Sequence, residues 1–131
     1  MSFPYDFGFI PSTLGDDGEP LDILVLLDAA VIPASLVRAR LIGVIEARQK
    51  EKKGKWIRND RLLAVAIHAQ THCAASSLRG LRPHLLQEIK AFFVDYNALR
   101  DRKFEPLRDG NIKAALKLIQ RGRRAHKPQA R

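Results

Sequence analysis

The chain has 131 residues, 46% apolar and 28% charged, with a formal net charge of +9. That is the length and composition of one globular domain with its own apolar core, which excludes a disordered chain and leaves no room for a second full domain. The single cysteine, Cys73, excludes an internal disulfide, so a reducing compartment, the cytoplasm, is expected. The opening Met-Ser-Phe-Pro-Tyr-Asp lacks the basic and apolar regions of a secretory signal. The longest apolar run, around Ile23–Leu27, falls far short of the ~20 residues of a membrane helix.

The elements read as follows. Residues 3–9 alternate Phe3, Tyr5, Phe7 and Phe9 between prolines and a glycine, which predicts an extended segment with one aromatic face. Gly15-Asp16-Asp17-Gly18-Glu19-Pro20 is a turn. Leu21–Leu27 is apolar throughout except for Asp22, as in a strand buried on both faces. Leu36–Ile45 reads as a second strand, residues 46–60 as a polar hairpin or loop with a short strand at Lys55–Ile57, and Arg61–His68 as a further strand. The period then changes. Leu81, Leu85, Leu86, Ile89, Phe92, Phe93, Tyr96 and Leu99 mark an amphipathic helix with Pro83 in its first turn. Ile112, Ala115, Leu116 and Ile119 mark a second, ended by Gly122. Strands followed by helices predict an α+β domain over 1–122, with the helices on one side of an antiparallel sheet or barrel, and a flexible basic tail over 123–131.

Charge is segregated. Residues 1–37 hold six acids and no Lys or Arg, whereas the remainder holds all 23 basic residues and eight acids, a balance of +15. The sharpest segment is Asp17-Gly18-Glu19-Pro20-Leu21-Asp22. Carboxylates packed this closely repel one another, and a hard cation removes that penalty. Asp22 inside an apolar run is the strongest case, because an unpaired charge there is expensive. The spacing does not match a helix–loop–helix calcium site. A solvated acidic turn is the competing reading. His68, His72, Cys73 and His84 complete no zinc pattern, and no Asp or Asn stands behind a histidine to activate Cys73.

The run FPYDFGFIPSTLGDDGEPLD, from Phe3 to Asp22, resembles the signature region of the family I soluble inorganic pyrophosphatases. That family carries an aromatic-Pro-x-Asn/Asp-aromatic-Gly-aromatic-Ile segment, then Asp-Gly-Asp-Pro-x-Asp. The resemblance continues through Val37–Arg40, Ile42–Val44, Arg61–Val65, Phe92-Phe93, Tyr96 and Lys103-Phe104. It implies an OB-like small antiparallel β-barrel with two C-terminal helices packed on it. The implied reaction is hydrolysis of inorganic diphosphate to two phosphates with Mg²⁺, or Mn²⁺ as a substitute. By position, Asp17 and Asp22 match metal ligands and Glu19 matches the carboxylate that takes a proton from the attacking water. Arg61, Tyr96 and Lys103 match substrate-binding positions.

The chain also departs from the family pattern. Glu19 is one methylene longer than the usual Asp. Phe7 replaces a phosphate-contacting tyrosine, and Asn97 follows Tyr96 where a lysine is usual. The third metal aspartate falls on Asn59, with Asp60 adjacent. The family also carries further barrel strands, with a Glu, a Lys and an Arg of its active site, ahead of the aromatic segment. The barrel is therefore expected to be incomplete at its N-terminus, with a homo-oligomer covering the exposed sheet edge. Two further readings follow: a catalytically impaired relative that binds metal, phosphate or a partner chain, and an OB-like nucleic-acid module. The second is disfavoured, because the aromatics concentrate in the acidic third.

Overall fold

The computed structural model describes residues 5–27, 36–67, 78 and 84–126. In chain order the elements are β1 (Tyr5–Phe9), β2 (Asp22–Leu26), β3 (Ala39–Glu51), β4 (Ile57–Arg58), β5 (Arg61–Ala66), α1 (Leu85–Ala98), β6 (Arg102–Gly110) and α2 (Ile112–Ala125). The six strands form one sheet in the order β1-β2-β5-β3-β4, with β6 paired to β3. The class is α+β, as expected. The sheet, however, is mixed rather than antiparallel, because β2 and β5 run parallel with Ile23 opposite Leu62 and Val25 opposite Ala64. Among the described residues it is also open rather than closed into a barrel.

Strand β3 is the spine. One of its edges pairs with β5 over Ala39–Ile45 and with β4 at Arg48 and Gln49, and the other pairs with β6 over Val44–Glu51. Bulges between Leu41 and Gly43 and between Glu46 and Ala47 interrupt the two long ladders, and each adds twist where a second partner joins. The strand thus runs six residues past the expected end at Ile45 and supplies one arm of the hairpin. Its partner β6 was not anticipated from sequence. Five of its nine residues are charged and Pro106 lies within it. Such a composition suits a strand paired on one side, with the proline beside the bulge at Ala47.

The helices cover opposite faces, not one. Neighbours on a strand point to opposite sides, and Leu62 and Leu63 belong to separate cores. Leu63 joins Leu24, Leu26, Ile45 and Phe104 beneath Leu85, Ile89 and Phe93 of α1. Leu62 joins Leu21 and Val44 beneath Ala115 of α2. Helix α1 buries Leu85, Ile89, Phe93 and Asn97 at successive four-residue steps; each apolar member stabilises the fold by about 1.5–3 kcal/mol. Helix α2 is capped by Asn111, whose side chain accepts a hydrogen bond from the Ala114 N–H at 2.9 Å. It does not stop at Gly122 but runs through it to Ala125. Gly122 is instead a point of close approach, since a Cβ there would meet Leu21 Cδ1 at 2.7 Å. The predicted starts at Leu81 and Pro83, the strand end at His68, and His72, Cys73 and residues 127–131 lie outside the described residues.

Gly43 fills a similar role between β3 and β6. A Cβ on it would lie 2.8 Å from the Gly110 carbonyl oxygen and 2.7 Å from Leu78 Cγ. A backbone oxygen cannot step aside. Gly43→Ala is therefore expected to destabilise the fold by about 1–3 kcal/mol, measured as a lowered urea midpoint with an unchanged m-value.

Candidate active site

The acidic loop between β1 and β2 is built before it is charged. Thr13 is buried, and its hydroxyl donates to the Ile10 carbonyl at 2.6 Å and accepts from the Leu21 N–H at 3.1 Å. The Ile10 N–H donates to the Leu21 carbonyl, which closes the loop's neck, and the Leu14 N–H donates to the Gly122 carbonyl, which pins the loop to α2. The tip turns through Gly18 at φ 83°, a conformation that costs glycine little. Asp17 Oδ1 accepts from the Glu19 N–H at 3.0 Å. One Asp17 oxygen thus shapes the turn.

Asp22 opens β2, and the parallel register sets it beside Arg61 at the start of β5. Arg61 Nη1 donates to Asp22 Oδ2 and, at 2.9 Å, to Asn59 Oδ1. Asn59 Nδ2 in turn donates to Gln49 Oε1 at 3.0 Å. The Arg61 side chain is only 12% exposed and packs its guanidinium over the rings of Phe93 and Phe104, at 5.1 and 5.5 Å from their centroids. Burial pulls its pKa below the usual arginine value, opposed by the charges of Asp22 and Asp17. Burial likewise raises the Asp22 carboxyl above its ordinary 3.8; Asp17 and Glu19 push it the same way, and Arg61 opposes them.

Asp17, Glu19, Asp22, Asn59 and Arg61 line one open depression of about 450 Å³, together with Phe9, Pro20, Gln49 and Arg102. Tyr96 lies in an adjoining cavity that shares Asp22 and Arg61. Asp60 is otherwise engaged. Its Oδ1 accepts from the Ala47 N–H at 2.9 Å and from Arg58 Nε at 3.1 Å, and Arg58 also holds Glu46. Lys103 does not line the depression; it lines a neighbouring hollow with Lys50, Lys52, Asp101 and Arg102. The residue before it, Arg102, borders both that hollow and the depression. Gln49 and Arg102 were not singled out from sequence. Neither could be placed without knowing that β3 runs on to Glu51 and that β6 exists.

The carboxylates of Asp17 and Asp22 and the amide oxygen of Asn59 are hard donors of the kind a magnesium ion takes. Their chemistry fits a dication. As the side chains stand, no three His, Cys, Asp or Glu residues among those described are placed to hold an ion together. Arg61 engages one oxygen of Asp22 and the amide oxygen of Asn59, and one oxygen of Asp17 caps its own turn.

Acids and half-buried arginines thus gather on one rim of an open α+β sheet. The chain belongs to the inorganic pyrophosphatase family, whose model matches residues 1–127. It is 34% identical over 129 residues to the inorganic pyrophosphatase of Helicobacter pylori strain J99, covering 96% of this chain and 72% of that protein. It is 37% identical over 101 residues to soluble inorganic pyrophosphatase 3 of Arabidopsis thaliana, of which the match covers 44%. The chain thus spans less than half of that plant relative. Among solved structures, a Helicobacter pylori inorganic pyrophosphatase aligns with a TM-score of 0.80 at 33% identity, over 95% of this chain and 72% of that one. The Thermus thermophilus inorganic pyrophosphatase aligns with a TM-score of 0.80 at 29% identity, over 96% and 71%.

The raised Asp22 pKa has a consequence in ion-free protein. The folded state binds that proton more tightly than the unfolded chain does. Asp22 therefore lowers stability as pH rises from about 3.8 through its folded pKa. A carboxyl-carbon NMR titration in chelator is expected to show Asp22 titrating above the ordinary aspartate value, and higher still in Arg61→Gln, where the opposing cation is gone. An unshifted Asp22 curve in both proteins would contradict this account.

Proposed function

We propose that this chain carries the substrate site of an Mg²⁺-dependent inorganic diphosphatase. The observation that carries the reading is the convergence of Asp17, Glu19, Asp22 and Asn59 with Arg61 and Arg102 on one depression. The family is generally metal-dependent. Asp17 and Asp22, with Asn59, would hold Mg²⁺, or Mn²⁺ in its place. When bound, the ion offsets the substrate's charge and lowers the pKa of a water. Arg61, which donates to one oxygen of Asp22, would remain beside the held ion as a donor facing the substrate.

The chain's own groups then divide the work. Arg61 and Arg102 hold the phosphate oxygens as planar donors. Both Nε atoms are buried without a hydrogen-bond partner among the described residues, as expected of donors that await an anion. Tyr96 bounds the site from the aromatic side. The water oxygen forms a bond to one phosphorus and the bridging P–O bond breaks, its electron pair leaving with the second phosphate. Glu19 accepts the water's proton.

The Arg61–Asp22 pair also favours a second reading, a relative that binds phosphate without turnover. The two are separated by phosphate release from diphosphate in Mg²⁺. Release is expected from the wild-type chain and is expected to be abolished by Asp22→Ala. Glu19→Asp, which shortens the base by one methylene, is expected to raise kcat, since misplacement by 1 Å can cost ~10²-fold. Diphosphate binding by calorimetry with no release above background would leave only the second reading.

Assembly is part of the proposal. Strand β1 is paired only with β2 among the described residues, and Phe9 on it is 61% exposed. A second copy covering that edge is expected to give a dimer or larger oligomer in sedimentation velocity.

A further inference from the structure

Away from the acidic depression, an open groove of about 760 Å³ lies between α2 and the sheet, with Arg58 and Arg108 on the sheet side. Its helix wall is cationic in a regular way. Lys113, Lys117 and Arg121 follow at four-residue steps, with Arg124 beyond them, and all four are exposed. At 1.5 Å per residue the row spans roughly 16 Å. The helix lowers its own stability to keep this row. Like charges four residues apart repel one another, and none of the 14 residues of α2 is acidic. Lys113 adds a cation to the first turn, where the helix dipole disfavours one. Lys113, Lys117 and Arg124 have no carboxylate partner among the described residues.

The sheet wall is held in place by acids. Arg58 and Arg108 share the Glu46 carboxylate, at 2.9 and 2.6 Å, and Arg58 also pairs with Asp60 at 3.0 Å. The Glu46 and Asp60 side chains are only 14% and 7% exposed, so they orient the guanidinium groups while showing the groove little negative charge. Asp16 stands 3.9 Å from Arg121. Six cations thus line the groove against three carboxylates.

This pattern selects an occupant. A single phosphate meets one or two of the cations, whereas the row calls for an anion extended along its length. No aromatic side chain is among the lining residues, so nothing is offered for a base to stack on. Helix α2 is packed on the sheet through Ala115 and flanked by Arg58 and Arg108, so it does not stand clear as a helix that enters a duplex groove does. A linear chain of phosphates is narrow and charged at every unit, and arginine forks and lysine ammonium groups match its oxygens. We propose that the α2 groove binds inorganic polyphosphate along the row from Lys113 to Arg124, with Arg58 and Arg108 on the other side of the chain. The groove shares no lining residue with the acidic depression, so this site is independent of the diphosphatase reading.

The test is calorimetric titration of the full chain with long-chain polyphosphate in chelator, where the acids of the depression repel a polyanion. The wild type is expected to bind, with affinity falling as salt rises. The double variant Lys113→Gln/Lys117→Gln is expected to bind more weakly and to lose about 1.4 from the slope of log K against log salt, at about 0.7 per phosphate contact for a single-stranded polyanion. A melting temperature no lower than the wild type's, as expected when like charges leave a helix, shows that the loss is not unfolding. Tripolyphosphate, polyuridylate, duplex DNA and polyglutamate at matched charge are expected to bind more weakly than polyphosphate. No binding by the wild type, an unchanged slope in the variant, or equal or tighter binding of any of those four ligands would overturn the proposal. Phosphate release from diphosphate in Mg²⁺ is expected to be the same in the variant and the wild type. Its absence from both defeats the diphosphatase reading and leaves the groove's polyphosphate binding intact.

Discussion

The pair formed by Asp22 and Arg61 is the constraint around which the domain is arranged. Parallel strands β2 and β5 bring the two residues side by side at their entries. The cost of leaving water falls mainly on Arg61, whose side chain is 12% exposed against 42% for Asp22, and without the carboxylate that buried cation would lose its counter-charge. The surroundings offset that cost in several ways. Asn59 accepts a second hydrogen bond from the guanidinium, and the faces of Phe93 from α1 and Phe104 from β6 lie against it. One buried cation thus ties two strands of the sheet to a helix and to the strand that follows it. The same cation faces the acidic depression, so the element that organises the fold also organises the site.

The carboxylates sit on an equally stiff support. Thr13 and the Ile10–Leu21 hydrogen bond close the loop neck, and the absence of a side chain on Gly122 lets α2 press directly on Leu21 and Thr13. Helix α2 thereby serves the site without contributing a ligand. Positioning groups on an element backed by packing is what lets modest charges act at defined distances.

The positions at which the chain departs from the family pattern form a consistent local structure. Asn59 in place of an acid suits a neighbour that is a guanidinium, because its amide accepts from Arg61 on one side and donates to Gln49 on the other. Asn97 is buried in α1, with its amide donating to the Phe93 carbonyl at 2.8 Å; a lysine there would bring a charge into the core. Phe7, lacking a hydroxyl, joins a stack with Phe92 rather than reaching for phosphate. Together these changes make the rim of the site less polar on the aromatic side, while the arginine side keeps two planar, permanently charged donors.

The pattern of residues along the chain determined a good deal. The four-residue apolar step of α1, the apolar run of β2 and β5, and the clustering of Asp17, Glu19 and Asp22 are properties of neighbouring residues. They needed no knowledge of partners, and the family resemblance rests on them. What only the tertiary structure decided depends on pairing. Strand β6, charged and carrying a proline, has no period that separates it from a loop until β3 provides a partner. Once it pairs, Arg102 at its start borders the site, which Lys103 does not line. The parallel register of β2 and β5, and the split of the core between opposite faces, are likewise set by long-range contacts. Gly122 reads as a helix end by composition and proves to be a contact point, because the reason for its small size lies on another segment more than a hundred residues away in the chain.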